Sequence, residues 1–265
     1  MDYWIDTNRI FYPSKRDSFP LIHLTQTWEV LKIILSEGFK PSYCTETINN
    51  DTESKLACFP MISVSNVTID FAISNQKSYG TLGIVLTKRW GEENGFNPVL
   101  YLEKKSDLTN DIVSNFKHVA GPSKEELRRI ANYTYNDLRE YLTSQQIKIF
   151  AHSKNYDGKL VRNNTLVANK YPFGMEREWR YIVRDEKIPY FLAGHEEISK
   201  KNVYNKLLKD LRIDFKIEHL KAIIVESEWQ VEEVKEIINK KFKLNEFPGN
   251  IEIRINTIRH IPDEG

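Results

Sequence analysis

Cysteine is scarce in this sequence, and long apolar runs are missing. The two cysteines, Cys44 and Cys58, do not have the spacing of metal ligands and cannot form a disulfide framework. A reducing, intracellular setting is the simplest interpretation. No apolar run approaches the length needed to cross a bilayer, and the first residues lack a basic segment followed by an apolar stretch. We therefore expect a cytoplasmic protein with no membrane partner.

An excess of one charge sign is also lacking, because 38 Lys and Arg residues face 37 Asp and Glu residues and the net charge is +1. This balance argues against a globally basic nucleic-acid binder, although it leaves room for a local basic face. A nucleic-acid target is therefore neither indicated nor excluded. A hydrophobic content of 40% is typical of a globular protein, and 265 residues can bury a core in one domain. We expect a single domain over residues 1–265.

The stretch 173–183, with the sequence FGMEREWRYIV, concentrates the charge that most needs an explanation. Interpreted as a strand, it places Glu176, Glu178 and Arg180 on one face and Trp179 on the other. Two carboxylates and a guanidinium on one strand face are used by a cleft or satisfied by an internal ion-pair network. Both alternatives stay open at this point, because structural ion pairs perturb charges much as functional sites do.

Other polar side chains stand on predicted strands. His23 lies on a short strand that ends near Thr25, which can cap the next helix. Ser63 lies on a strand at 59–65, where it either lines a pocket or faces solvent. Tyr79 stands at the entrance of a strand that begins after two glycines, and it either stacks on a planar ring or belongs to the core.

The remaining pattern predicts an α+β fold with a mixed, mainly antiparallel sheet. Residues 39–56 are polar and predict a mobile loop, and residues 151–161 predict a second loop. An inserted helical hairpin is expected over about residues 104–150, where Ser123 begins a capping-box pattern. A strand, a helix from about 228 to 242 and a second strand predict a C-terminal β-α-β unit.

Several short motifs follow one another in a characteristic order. In chain order they are His23-Leu-Thr25, Phe59-Pro-Met-Ile-Ser63, Tyr79-Gly80, Trp90, Asn97-Pro98-Val99 with Tyr101, and Glu176-Arg-Glu-Trp-Arg180. This order resembles the AbiGi family of abortive-infection, phage-resistance proteins, and the similarity runs from about His23 to the C-terminal unit. The resemblance implies an antitoxin-like role in antiviral defence. It also implies a cognate toxin or antitoxin partner.

The same order is similar, more distantly, to the plan of ADP-ribosyltransferases, with His-x-Thr on an early strand, Tyr before a middle strand and Glu-x-Glu on a late strand. This resemblance implies NAD as the substrate. The histidine His23 would hold the adenosine-side ribose, and Tyr79 would stack on nicotinamide. Thr25 and Ser63 would be further cofactor-binding positions.

In that plan the late glutamate, Glu178, would hold the nicotinamide ribose, with Glu176 as the first acid of the pair. Cleavage of the nicotinamide bond develops oxocarbenium character, which a fixed carboxylate stabilises. Arg180 would hold Glu178 or meet a pyrophosphate. The transferred group would go to a nucleic acid or a protein.

Two departures weaken the enzyme hypothesis. The gap between Tyr79 and Glu176 is long, and no decisive arginine or Ser-Thr-Ser motif surrounds Ser63. A degenerate transferase fold in a non-catalytic, antitoxin-like binding protein would have much the same motifs in the same order. No metal is expected, because the pair Glu176 and Glu178 has no nearby Asp or His in the usual spacing for a metal-dependent nuclease.

Overall fold

A computed structural model of the chain describes residues 19–74, 79–119, 145–162 and 165–256. These residues form helices and a mainly antiparallel set of strands, which confirms the predicted α+β class. Within them, no helix is both long enough and apolar enough to span a membrane.

Most of the strands are short, and the longest is β3, with 12 residues. In chain order they are β1 (Leu21–Thr25), β2 (Ser42–Asn49), β3 (Ser54–Ser65), β4 (Leu82–Leu86), β5 (Asn97–Pro98), β6 (Leu100–Leu102), β7 (Ser153–Asn155), β8 (Gly158–Arg162), β9 (Thr165–Tyr171), β10 (Glu178–Ile182), β11 (Leu192–Ala193), β12 (Leu220–Val225) and β13 (Glu252–Ile255).

The helices vary in length from one turn to four. They are α1 (Trp28–Glu37), α2 (Ile69–Ser74), α3 (Lys88–Glu93), α4 (Asp107–Val119), α5 (residues 145–151), α6 (Gly194–Ser199), α7 (Lys201–Tyr204) and α8 (Glu228–Phe242). Single 3₁₀ turns cover Phe173–Glu176, Asn205–Leu208 and Ile217–His219.

The residues group into two compact units, of which the first contains residues 1–35, 65–93 and 215–265. Its strands lie in the order β13, β12, β4 and β1, with β12 and β13 parallel and the other pairs antiparallel. The central strand β4 is buried along its whole length, as expected for a run of branched apolar residues. The predicted C-terminal unit is present, because α8 covers residues 228–242 between two parallel strands.

Gly80 allows the chain to pass directly over the end of β1 in this unit. Its φ of +115° lies in the region that favours glycine, and a Cβ there would stand 2.1 Å from the carbonyl oxygen of Thr25. Position 80, two residues before β4, therefore has to be a glycine for both conformational and steric reasons. This explains why the chain has Tyr79-Gly80 at the entrance of the strand.

The second unit contains residues 36–64 and 94–214 and is organised around the long strand β3. β3 pairs with β2, β11 and β10, and β10 pairs in turn with β5. Two smaller sheets join β6 with β7 and β8 with β9. The core below β3 is aromatic, with Phe59 and Phe116 packed on either side of Phe150 at ring distances of 5.9 and 4.5 Å.

The predicted loop over residues 39–56 is wrong, since β2 and the start of β3 form a hairpin there. Tyr43 and Ile48 are both buried, and because they are five residues apart they lie on opposite faces of β2 and pack in different core clusters. Only the turn is polar throughout, where the side-chain oxygen of Asn50 accepts hydrogen bonds from the amides of Thr52 and Glu53. The loop predicted over 151–161 is likewise wrong, because it contains β7 and the start of β8.

The predicted helical insertion over about 104–150 is only partly described. α4 and α5 account for its two ends. The capping-box pattern at Ser123 lies outside the described residues. The single domain over 1–265 stays a prediction.

Candidate functional site

The charged stretch forms a turn followed by a strand rather than one continuous strand. Residues 173–176 make a 3₁₀ turn, Arg177 adopts a left-handed conformation with φ of 47°, and β10 begins at Glu178. The turn forms because Gly174 lies under the ring of Tyr156, which would be 2.4 Å from a Cβ at that position. The amide of Gly174 also donates a hydrogen bond to the Tyr156 carbonyl. The predicted strand is therefore correct only from residue 178 onward.

The predicted alternation holds along β10. Glu178 and Arg180 are buried, whereas Trp179 and Tyr181 are only half-buried. Glu176 is also buried, although it lies before the strand. The left-handed turn at Arg177 places this second carboxylate next to the first, since one lysine contacts both.

Arg180 is the centre of the cluster, and its side chain has no solvent exposure. Its Nε and Nη2 atoms donate to the two carboxylate oxygens of Glu178 at 2.7 and 3.2 Å. Nη2 also lies 2.9 Å from the Glu46 carboxylate on β2. Nη1 donates to the carbonyls of Ala151 and Ser153 at 2.8 and 3.3 Å. Every nitrogen of the guanidinium thus has a partner, as the burial of a charge requires.

Lys154 on β7 is the second cation of the cluster. Its Nζ lies 3.1 Å from Glu176 and 2.9 Å from Glu178. The same nitrogen stands 4.5 Å above the ring of Phe173, a distance that gives a cation–π attraction. Because Arg180 holds both oxygens of Glu178 and Lys154 holds one of them as well, the whole carboxylate is engaged by protein cations.

A tyrosine from β6 completes the cluster. The hydroxyl of Tyr101 accepts a hydrogen bond of 2.8 Å from the amide of Glu178. Burial raises the pKa of this phenol, so the hydroxyl stays neutral at pH 7. The charged members are three carboxylates and two cations, Glu46, Glu176, Glu178, Lys154 and Arg180, which leave one net negative charge. We call these five residues and Tyr101 the ion-pair cluster.

The protonation of the cluster follows from the competition between burial and ion pairing. Burial would raise the pKa of Glu178, but the charges and hydrogen bonds of Arg180 and Lys154 outweigh it and hold that pKa well below the usual range. Burial would likewise lower the pKa of Arg180, yet Glu178 and Glu46 raise it. The pair is therefore ionised at neutral pH.

The predicted site residues are divided between the two units. Glu176, Glu178 and Arg180 come together in the second unit, in the ion-pair cluster. Ser63 also belongs to the second unit, where its hydroxyl lies 3.4 Å from the sulfur of Met61. The other three lie in the first unit: His23 and Thr25 on β1, and Tyr79 before β4.

Sequence reasoning missed three members of the cluster. Lys154 and Glu46 lie in the two stretches predicted as loops, and Tyr101 carries part of the AbiGi resemblance without an obvious role. The signal that could have found β2 is its content of aromatic and β-branched residues, Tyr43, Thr45, Thr47 and Ile48, which favours a strand. Two acids on a buried strand face also require cations nearby, but the sequence does not say which of the 38 basic residues supply them.

The arrangement can hold its charges in place, but it presents no unused carboxylate oxygen of Glu178 to a substrate. Both oxygens of Glu178 already accept hydrogen bonds from these cations, and its side chain is only 7% exposed. In the part of the chain that the structure describes, no group of three or more His, Cys, Asp or Glu residues has the geometry of a metal site.

Two comparisons with known proteins identify the same family. The family model described as "Putative abortive phage resistance protein AbiGi, antitoxin" matches residues 37–226. A relative from Lactococcus lactis subsp. cremoris, named "Abortive phage resistance protein AbiGi", is 24% identical over 237 residues, which cover 80% of this chain and 91% of the relative. No solved structure matches the chain.

Replacing Arg180 tests whether the cluster holds the fold together. We expect Arg180→Met to lower the free energy of unfolding by about 3–5 kcal/mol, because it leaves buried carboxylates without a cation. Arg180→Lys recovers only part of the loss, since an ammonium cannot bind Glu178 with two nitrogens. Urea unfolding measures both. The matched control is Arg89→Met, which removes an exposed ion pair with Glu93 and leaves stability unchanged. Equal stability of the two methionine variants would contradict the prediction.

Acid sensitivity follows from the lowered pKa of Glu178. A carboxylate with a folded-state pKa below its unfolded value stabilises the protein above the unfolded value of about 4.3, and this stability is lost as the pH falls. At pH 7 we expect Glu178→Gln to be less stable than the native chain. Below about pH 4 the difference in the free energy of unfolding between the two proteins narrows by about 1.4 kcal/mol per pH unit. Urea unfolding at several pH values measures it, and a difference that stays constant down to pH 3 would rule out this role of Glu178.

Proposed function

This chain belongs to the AbiGi family of abortive phage resistance proteins, and we propose that within this phage-defence function it is a non-catalytic, antitoxin-like protein that binds a cognate toxin. The family match covers residues 37–226, which include the whole ion-pair cluster. The description of the family as an antitoxin supports a binding role.

The observation that carries the proposal is an exposed apolar ribbon made of β8 and β9. These two strands pair with each other, and in the described residues they join no larger sheet. Val161 and Leu166 face each other across the ribbon and are 50% and 48% exposed. Val167 on β9 is exposed as well. Neighbouring apolar side chains at this exposure are typical of a surface that contacts another protein.

Among the described residues, β8 and β9 pair in a sheet with each other alone, so the outer edges of the ribbon belong to no larger sheet there. An edge strand with apolar side chains is a liability in a free protein, because it can pair with other chains. A partner that adds an extended segment to such an edge gains main-chain hydrogen bonds and side-chain contacts together. The exposed ribbon is therefore suited to hold a segment of a toxin.

The ion-pair cluster supports the base of this ribbon. Lys154 lies on β7, four residues before β8, and contacts Phe173, two residues after β9, so this contact lies at the open end of the hairpin. Tyr156 packs edge-on against Tyr101 of the cluster at 6.4 Å. A fixed base lowers the entropy that the ribbon loses on binding, which favours affinity. In this proposal the charged residues orient a binding surface rather than perform chemistry.

The ADP-ribosyltransferase hypothesis is the alternative. It assigns Glu178 to the nicotinamide ribose and His23, Thr25, Tyr79 and Ser63 to NAD. The engagement of both Glu178 oxygens by Arg180 and Lys154 favours the binding role over this chemistry. Modification of a nucleic acid or protein stays part of this alternative.

Charged substitutions on the ribbon test the binding role. We expect Val161→Asp with Leu166→Asp to abolish neutralisation of the proposed cognate toxin, because two charges would be buried in the interface. Growth of cells that express the toxin with each variant measures neutralisation. The matched control is Leu108→Asp, on α4, whose side chain is equally exposed. Full neutralisation by the ribbon variant would contradict the proposal, as would its loss in the control.

Turnover of NAD separates the two hypotheses. We expect the purified native chain to release no nicotinamide from NAD, alone or with cell lysate, since Glu178 is held by internal cations. Chromatography of the reaction mixture measures the release, with an active transferase as the positive control. Release by the native chain that Glu178→Gln abolishes would overturn the non-catalytic role and establish the enzyme.

A further inference from the structure

The two strands of the exposed ribbon differ in regularity. Three of the pairs that join them are Gly158 with Tyr171, Leu160 with Ala168, and Val161 with Leu166. Between the first and second of these pairs, β9 has one residue more than β8, and the same holds between the second and third. β8 is therefore the regular strand, and β9 bulges at two places.

This difference decides which edge of the ribbon can accept another strand. A bulge interrupts the row of backbone groups that a strand offers to a new neighbour, and proteins use bulges to protect their sheet edges. The outer edge of β9 is protected in this way, whereas that of β8 is not. In the part of the chain that the structure describes, the backbone of β8 forms no hydrogen bond outside the ribbon. An extended segment therefore adds more readily to β8 than to β9.

β8 has one buried face and one exposed face. Leu160 is only 2% exposed, whereas Val161, the next residue, is 50% exposed. Because side chains alternate along a strand, Lys159 lies on the same face as Val161, two residues away. Lys159 is exposed as well. The exposed face of β8 thus offers a cationic and an apolar side chain at neighbouring positions.

The ribbon carries charge of one sign. Residues 158–175 contain three basic residues and no acidic one. Lys170 on β9 is paired, since its Nζ lies 3.4 Å from Asp157, which precedes β8. Lys159, by contrast, has no ion-pair partner among the described residues. Its ammonium group is therefore available to a binding partner.

We propose that the outer edge of β8 binds an extended segment of the toxin in which one position separates an acidic residue from an apolar one. This inference rests on the proposed function and adds to it which strand is bound and what chemistry the bound segment has. On an added strand, side chains two positions apart point to the same face. The acidic residue of the segment then lies beside Lys159, and the apolar residue lies beside Val161.

Lys159 selects the bound segment both by attraction and by repulsion. A carboxylate beside it forms a cross-strand ion pair, whereas a basic segment meets a like charge. A second copy of β8 is disfavoured for the same reason, because it brings another lysine and no acid to the contact. The lysine thus protects the edge from pairing with itself and leaves it open to an acidic strand.

Synthetic peptides test the proposal with the full chain. The acidic probe is a short fluorescein-labelled peptide in which threonine alternates with valine and glutamate, and the basic probe has lysine in place of each glutamate. At low salt we expect the acidic peptide to bind about fivefold or more tightly than the basic one, because opposite charges across two strands attract and like charges repel. Fluorescence anisotropy measures both affinities. Lys159→Glu reverses the preference.

The matched control is Lys105→Glu, which reverses an exposed lysine outside the ribbon that also has no ion-pair partner among the described residues. We expect it to keep the native preference, and circular dichroism confirms that both variants are folded. Hydrogen exchange then locates the bound acidic peptide. We expect the amides of β8 to be slowed more strongly than those of β9, since only the outer edge of β8 gains hydrogen bonds.

The inference is overturned if the acidic peptide does not bind, if both peptides bind equally, or if Lys159→Glu leaves the preference unchanged. Stronger protection of β9 than of β8 overturns it as well. Tighter binding of a single-stranded oligonucleotide than of the acidic peptide would assign this surface to nucleic acid instead.

Toxin neutralisation distinguishes failure of this inference from failure of the proposed function. If Val161→Asp with Leu166→Asp loses neutralisation while Lys159→Glu retains it, the ribbon binds the toxin but the segment is not selected by its acidic residue. If both variants neutralise fully, toxin binding by the ribbon is itself wrong.

Discussion

The burial of one arginine determines how the second unit is built. The guanidinium of Arg180 has no contact with solvent, and a charge in that position is tolerated only if every nitrogen has a partner. Its partners come from β2, β10 and the segment that precedes and enters β7. Three stretches that are far apart in sequence therefore have to meet around one side chain. The structure of this unit follows from that requirement as much as from its aromatic core.

The same requirement decides what the carboxylates can do. In a transferase, a glutamate such as Glu178 needs a free oxygen for the sugar hydroxyl that it binds. Here the cations that stabilise Glu178 in a low-dielectric setting also occupy its oxygens. A family described as an antitoxin agrees with this arrangement, because an inhibitor needs a rigid surface and not a reactive group. In our proposal, the ribbon of β8 and β9 is that surface.

Sequence reasoning succeeded where one local pattern carries the information. The period-two alternation placed Glu178 and Arg180 on one face, and the predicted bounds of α8, residues 228–242, agree with the structure. It failed where polar residues belong to strands. β2 has only two buried residues, Tyr43 and Ile48, with two threonines and a glutamate among the residues between them, and this composition resembles that of a loop. Two charged members of the cluster, Glu46 and Lys154, were missed because the strands that carry them were predicted as loops.

The sequence by itself determined the α+β class, the AbiGi resemblance and the presence of buried charge on β10, because these depend on composition, on motif order and on the periodicity of a single strand. Only the tertiary structure decided between a cleft and an internal network. That choice depends on which cations stand within about 3 Å of Glu178. Lys154 is separated from it by 24 residues, and Glu46 is more distant still from Arg180 along the chain. No local pattern encodes a contact of that kind, since it arises only when the strands pack.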